Sequence, residues 1–508
     1  MKGVRRGRWL LLAVFPLGWY FSYDLVSEHF YYAQLTIASM LSCALVLGSF
    51  RGTIKHKIHL LAIFLIFISA YYVKFYLLCY MKLHSGQYGE YLDAYYNLES
   101  QLFSNNILIL NYYELITIVM ATLSIIIILL IEYNYCGVRQ SGIQDKLPLE
   151  ISITPFFVKR LLLVTIFICI VLIYTQVQLG LGFVSGHERQ MIKLPYHLAG
   201  IIMTFYNLMV PLLFLVIVWI ADKIKNTRLS MTATGFYIIF GMVAGLLSTS
   251  KAWMLSTVIS LLILWGITGT LSKKRFLLLA SLIPFIMFFN TYLTVNRVLR
   301  GDLALVIHSA ESIFEIMGIA YNEMFSPTTG VSFLDEPAAK TAQYLGLFMR
   351  VNGADSLLNI MNWNPLLSFE RIWFLLFDSP DPVNIHYVLD VLGRPLEVGL
   401  AFSPSLLGYF MYLSGSAMFV SCGVIIYTVI WHIVFRSILN AQLLVEPIAL
   451  ALLLLSLAHY TSEGTLEAMP KSVAIIVIFI IIAECILRWL VRQRGMPLLS
   501  HPLLKRQP

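Results

Sequence analysis

Long apolar runs alternate with short polar segments along most of this chain of 508 residues. A run of about 20 apolar residues is long enough for an α-helix to cross the hydrocarbon core of a bilayer. The pattern predicts twelve such helices, near residues 9–24, 30–50, 58–81, 107–133, 161–180, 198–221, 231–249, 252–271, 276–294, 403–434, 443–460 and 472–490. The expected fold class is therefore an all-α polytopic membrane protein.

One polar segment is much longer than the others. Within it, residues 303–324 and 338–361 have apolar positions at helical spacing, and residues 369–377 are predicted to form a short interfacial helix. Prolines separate these pieces. We expect a helical lid packed over the bundle. The predicted organisation is nine spans in residues 1–294, the lid in 295–401, three spans in 402–490 and a basic tail in 491–508.

Composition and charge agree with a membrane protein and give it an orientation. The chain is 59% hydrophobic and 12% charged, whereas soluble domains carry about 25% charged residues. With the N-terminus inside, 23 of the 35 basic residues fall in cytoplasmic stretches and only Lys74 falls inside a span. The bias predicts cytoplasmic termini and a lid on the outer face of the membrane. The net charge of +8 then comes mostly from the basic residues of cytoplasmic loops and is not a sign of nucleic-acid binding. The expected partner is a lipid bilayer, and no nucleic acid is expected.

The predicted outer segments contain cations that topology does not require. They are Arg189, Lys251, Arg297, Arg300, Arg350 and Arg394. A guanidinium stays charged, and its planar fork matches pairs of phosphate oxygens. A lipid-linked pyrophosphate lies at this depth, so these residues are candidates to bind one. The alternative for each is a pair with an acidic residue of the lid, or a contact with lipid headgroups.

A transfer reaction at such a site would also need a general base. The candidates are His386 and several acidic residues in the lid, with His459 and Glu463 at the last outer turn. The acidic residues are Glu323, Asp335, Glu336, Asp378, Asp381 and Asp390. Histidine has the most suitable intrinsic pKa, although a loop histidine is often an ordinary surface residue. The sequence has no HExxH motif, and neither a metal nor another cofactor is predicted.

Several local patterns accompany this layout. The lid exit runs from Gly399 through Ser403-Pro-Ser405 and Gly408 to Gly415, and inside the lid stands Arg350-Val-Asn-Gly353-Ala-Asp355. A tight turn at 248–251 ends in Lys251, and Arg189 precedes Gly200 with ten residues between them. Together with twelve spans and one long lid before the last three, this resembles the Wzy-type O-antigen and exopolysaccharide polymerases. Lys251 departs from the arginine that is usual there.

The resemblance implies a metal-independent glycosyltransferase with the bundle of the C-type membrane superfamily. The donor would be an undecaprenyl-pyrophosphate-linked oligosaccharide and the acceptor a second lipid-linked repeat unit. The six outer cations would bind pyrophosphate, and His386, His459 or Glu463 would activate the acceptor hydroxyl. The protein would be a multi-pass protein of a bacterial inner membrane and would act at its periplasmic face, in lipopolysaccharide or exopolysaccharide biosynthesis. A membrane protein that regulates chain length is an expected partner.

Two other functions fit the same layout. An O-antigen ligase shares the lipid donor but transfers the glycan to lipid A core. A transporter of lipid-linked oligosaccharides would place ionisable residues or broken helices near the membrane midplane. The predicted spans are nearly free of charge apart from Lys74, which favours an enzyme acting on one face.

Overall fold

A computed structural model describes most of the predicted bundle and part of the lid. The described residues are 56–75, 78, 106–138, 154–179, 202, 204–247, 252–282, 353–363, 369–379, 381, 383–391, 403–441, 443–464 and 466–493. Among them 91% are helical and no strand occurs. The expected all-α class is confirmed for this part of the chain.

Thirteen helices are labelled here in chain order, and three of them run directly into or out of a π-helical segment. They are α1 (Ile58–Phe67, continued by π-helix Ile68–Val73), α2 (Asn106–Val138), α3 (Pro155–Leu179), α4 (Val210–Lys223, preceded by π-helix Phe205–Met209), α5 (Thr227–Leu247), α6 (Ala252–Thr268), α7 (Ala354–Trp363), α8 (Phe369–Trp373, continued by π-helix Phe374–Asp378), α9 (Val383–Asp390), α10 (Leu406–Ser414), α11 (Ala417–Asn440), α12 (Glu446–Glu463) and α13 (Met469–Gln493). Residues 273–282 are also helical.

Five helices of the described part are long and apolar enough to cross a membrane. They are Ile107–Ile131, Pro155–Thr175, Phe205–Lys223, Ala417–Asn440 and Leu466–Trp489. Two shorter apolar helices, Ile58–Val73 and Trp253–Thr268, also coincide with predicted spans. The predicted spans at 9–24 and 30–50 lie outside the described residues. A bilayer environment is thus indicated, while the number twelve stays a prediction.

The bundle is built around α12. This helix packs against α1, α4, α6, α11 and α13, and its residues 448–454 are all buried. A helix that is apolar on every side belongs inside a bundle rather than at its surface. By contrast, α3 leaves Phe167, Ile170 and Tyr174 largely exposed, which suits contact with lipid chains. The hydrophobic core of the described part therefore lies around α12, and the outer face of a peripheral helix such as α3 is also apolar.

The predicted span at 403–434 is divided in the structure. Helix α10 ends at Gly415, which adopts the left-handed conformation with φ of 63° and donates its N–H to the Met411 carbonyl. The following helix, α11, begins at Ala417 and is the one long enough to span. The apolar run continued across this break because α10 is itself buried, so hydropathy alone did not reveal the turn.

The described part of the lid contains three short helices that share a small core with α10. Helices α7, α8 and α9 contribute Ile360, Leu375 and Tyr387 to it, and α10 contributes Tyr409 and Tyr412. Phe419, in the first turn of α11, packs against the same core. The lid helices therefore rest directly on the beginning of a candidate membrane span.

Candidate functional site

Lys74 lies at the end of the π-helical segment that continues α1, and it is almost completely buried. Its Nζ is 2.7 Å from Oδ1 of Asp355, in the first turn of lid helix α7. Single-turn π-helical segments in proteins are frequent at functional sites. An ionisable group buried in an apolar helix is itself a reason to suspect function. The ion pair joins the lid to the bundle at this point.

Next to this ion pair, the backbone at the start of lid helix α7 closely approaches the backbone of the π-helical segment that continues α1. A Cβ atom at Gly353 would lie 2.2 Å from the carbonyl oxygen of Ala70, so only glycine fits there. Asp355 also accepts a hydrogen bond of 3.2 Å from the Gly353 N–H. The carboxylate is thus held by a lysine and by its own N-terminal turn. Its side chain is fixed before any ligand arrives.

A second carboxylate, Glu463, reaches the same region from the end of α12. Ser403 Oγ donates to Glu463 Oε2 at 2.7 Å, and Ser356 Oγ donates to the Ser403 carbonyl oxygen at 3.2 Å. Glu463 is half-buried and lies within electrostatic range of Lys74. We call Lys74, Asp355, Ser403 and Glu463 the Lys74 cluster.

The backbone behind the Lys74 cluster is strained and tightly packed. Ser405 is fully buried with φ of 64° and ψ of 168°, a conformation that is costly for a residue with a side chain. Gly464 has φ of 69°, and a Cβ there would lie 2.2 Å from the Ser405 carbonyl oxygen. Backbone strain of this kind concentrates at functional sites, so the segment fits the role of holding Ser403 against Glu463.

Tyr71 fixes the same segment from the side of α1. Its hydroxyl accepts a hydrogen bond of 2.9 Å from the N–H of Leu407, in the first turn of α10. Its carbonyl oxygen accepts a bond of 2.6 Å from the hydroxyl of Tyr112 in α2. The start of α10 is therefore tied to two bundle helices. Ser403 and Glu463 are held on a rigid frame.

The chemistry available to the Lys74 cluster follows from its charges. One ammonium group faces two carboxylates, and Asp355 is the one in direct contact with it. Glu463 is joined to a serine hydroxyl and remains partly exposed. A carboxylate in that position can accept a proton from a hydroxyl of a ligand. The arrangement thus places Glu463, as a candidate base, near a fixed ion pair.

The six cations that the sequence nominates for phosphate lie outside the described residues. They are Arg189, Lys251, Arg297, Arg300, Arg350 and Arg394. Arg350 is three residues before Gly353 in the sequence, close along the chain to the Lys74 cluster. Their proposed role as a pyrophosphate site stays a prediction.

The three proposed bases occupy different surroundings. Glu463 belongs to the Lys74 cluster. His386, in α9, has Nε2 2.6 Å from Oγ of Ser379, which also donates to the Asp381 carbonyl oxygen and accepts from the Asp381 N–H. His459 is exposed, and its ring lies against Tyr460. The structure brings one of the three to the buried ion pair.

Sequence reasoning did not assign a role to Lys74, Asp355 or Ser403. Lys74 was visible as a single cation in an apolar run, which is a signal in its own right. Asp355 and Ser403 lie within the two sequence patterns of the lid that resemble the polymerases. Neither residue has a predicted role of its own there. The ion-pair and hydrogen-bond partners of these residues are far away in the sequence, so no local sequence pattern could reveal the pairs.

Comparisons with known proteins add no identification. No protein-family model matches the chain, and no curated protein or solved structure matches it significantly. Function is therefore inferred from the geometry and from the sequence.

Proposed function

We propose that this protein is a membrane glycosyltransferase that polymerises undecaprenyl-pyrophosphate-linked repeat units into a long surface polysaccharide at the periplasmic face of the inner membrane. The observation that carries the proposal is the Lys74 cluster, where Asp355 of a lid helix pairs with Lys74 of a bundle helix, and Glu463 of another bundle helix lies within electrostatic range of that lysine. A transferase at a membrane surface needs such a junction between lid and bundle, because its substrates are part lipid and part sugar.

The depth of the Lys74 cluster supports a site on one face. Lys74 follows Ile58 by 16 residues of helix, which corresponds to about 24 Å along the axis. The hydrocarbon core is about 30 Å thick, so a lysine that far from the predicted inner end of the span at residue 58 is expected near the opposite boundary rather than at the midplane. The charge bias of the sequence predicts that this boundary is the outer, periplasmic one.

The proposed roles of the residues follow from this placement. Glu463 accepts the proton of the acceptor hydroxyl, whose oxygen forms the new bond to the anomeric carbon of the donor sugar. The bond between that carbon and the pyrophosphate oxygen breaks, and undecaprenyl pyrophosphate leaves with the electron pair. Cations among Arg189, Lys251, Arg297, Arg300, Arg350 and Arg394 stabilise the leaving charge. The Lys74–Asp355 pair holds the lid in position.

The proposal is tested with purified full-length protein and lipid-linked repeat units in detergent. Polymerisation predicts a ladder of longer glycans on the lipid and release of undecaprenyl pyrophosphate. Addition of lipid A core distinguishes the ligase, because a ligase forms product only when that acceptor is present. Repeat units that stay unchanged with either acceptor, while the protein is folded, would contradict a transferase.

One observation favours a second function, a transporter of lipid-linked oligosaccharide. Lys74 and Asp355 form a buried charge pair next to a π-helical segment, and transporters use such groups. Vesicles containing the protein separate the two functions. A transporter moves labelled lipid-linked oligosaccharide between leaflets without lengthening it, whereas the proposed enzyme lengthens it.

A further inference from the structure

The helix formed by Phe369–Trp373 and Phe374–Asp378 has two apolar faces. Ile372 and Leu375 are buried in the small core shared with α10. Large apolar side chains on the other side are exposed, with Phe377 at 67% and Trp373 at 51%. Phe374 and Leu376 are exposed with them. We call Trp373, Phe374, Leu376 and Phe377 the aromatic face.

The position of this helix indicates what covers the aromatic face. Phe419, in the first turn of the candidate span Ala417–Asn440, packs against the core beneath this helix. The neighbouring Met418 and the later Ile426 of that span are themselves largely exposed, as expected for side chains that meet lipid. The aromatic face is therefore attached to the end of a membrane span, at the level where bilayer meets water.

The composition of the helix suits that level. Tryptophan is enriched at membrane interfaces, and amphipathic helices bury tryptophan, phenylalanine and leucine about 5–10 Å into the boundary between headgroups and acyl chains. The acidic residues Glu370 and Asp378, both exposed, stand at the two ends of the helix. Each can remain in the headgroup region while the aromatic rings between them enter the lipid.

The single cation of the helix is held on its protein side. The guanidinium carbon of Arg371 lies 4.6 Å from the centre of the Trp363 ring and 4.5 Å from that of Tyr412. Two aromatic rings thus keep this charge beside the lid core, away from the aromatic face. The same contact joins the helix to the end of α7, whose first turn carries Asp355.

From these observations we propose that the aromatic face inserts into the lipid of the adjacent leaflet and anchors the lid there. The partner that covers the aromatic face is then the surface of the bilayer and not another protein. This role does not depend on the transferase activity, because it follows from exposure, residue type and attachment to a span.

Spin-label accessibility tests the proposal in the full chain. A nitroxide is attached to Phe377→Cys in a variant without the natural cysteines, reconstituted in vesicles of phosphatidylethanolamine and phosphatidylglycerol. Asp381→Cys, exposed in the turn just after the helix, is the matched aqueous control, and Ile426→Cys is the lipid reference. Collisions with oxygen report lipid, and collisions with a water-soluble nickel chelate report water.

We expect oxygen collisions to exceed nickel collisions at position 377, as at 426, with the opposite order at 381. The same order of accessibilities at 377 and 381 would overturn the proposal, since the face would then lie in water. Low accessibility to both reagents would also overturn it, because another part of a protein would then cover the face. Phe374→Cys repeats the measurement if the first variant does not fold.

Discussion

Lys74 Nζ and Asp355 Oδ1 are 2.7 Å apart, in a pair whose lysine is 1% exposed. The two residues come from an apolar bundle helix and from a lid helix that are separated by most of the chain. A buried charge is tolerable only when it is paired, so each partner fixes the position of the other. This contact decides where the lid lies on the bundle.

Removing one partner of this pair should destabilise the protein strongly. We expect Lys74→Met or Asp355→Asn to lower the free energy of unfolding by about 3–5 kcal/mol, since an uncompensated buried group remains. The double variant Lys74→Met with Asp355→Leu should recover much of that loss, because two apolar side chains can pack together. Thermal unfolding of the unmodified protein, the single variants and the double variant in detergent gives the coupling energy of the pair. Additive losses in the double variant would contradict direct coupling.

A matched control for activity is available elsewhere in the bundle. Arg275 pairs with Asp222 and lies over the Trp265 ring, in a second buried ion pair. Asp222→Asn should also destabilise, yet keep the activity of each folded molecule, whereas Asp355→Asn should lose it. Equal residual activities of the two variants would mean that the Lys74 pair has no special part in the reaction.

Glu463→Gln tests the base. Glutamine keeps the size of the side chain and an oxygen for the Ser403 hydroxyl, but it cannot take up a proton. We expect the rate of chain extension to fall by about 10²–10⁴-fold with little change in stability. Ser403→Ala is the control, because it removes the hydrogen bond and keeps the carboxylate. A fully active Glu463→Gln enzyme would exclude Glu463 as the base.

His386 and Ser379 can be compared in the same assay. Because their side chains are bonded to each other at 2.6 Å, removing either one removes the same contact. His386→Ala should therefore cost about 0.5–1.5 kcal/mol of stability, and Ser379→Ala should cost more because it also removes the two bonds to Asp381, while both variants keep comparable activity. Activity that is lost only in His386→Ala would transfer the role of base to the histidine.

Gly353→Ala tests the close approach of lid and bundle. The new methyl group would lie 2.2 Å from the Ala70 carbonyl oxygen, so the backbone must move. We expect a loss of about 1–3 kcal/mol in the free energy of unfolding and displacement of Asp355 from Lys74. Gly235→Ala, where nothing lies within 4 Å of the new atom, should instead be neutral or slightly stabilising. Thermal unfolding of both variants makes the comparison.

Hydropathy located most of the described helices but not all of their ends. Residues 107–133 and 472–490 were predicted as spans, and the structure contains candidate spans at Ile107–Ile131 and Leu466–Trp489. The prediction failed between 403 and 417, where α10 and α11 are separated at Gly415. Both helices are apolar, but for different reasons. Helix α10 is buried by protein, whereas α11 is a candidate span with exposed apolar side chains that suit lipid. Composition does not distinguish these surroundings.

The helices and their suitability for a bilayer could be predicted from the sequence, because helix length and apolarity depend on runs of neighbouring residues. Glu463 could be named as a candidate base because it stands beside the end of a predicted span. That Glu463 lies in one cluster with Lys74, Asp355 and Ser403 follows only from the tertiary structure. Those residues come from four separate segments, and only packing of the lid on the bundle brings charges from such distant positions into hydrogen-bonding range.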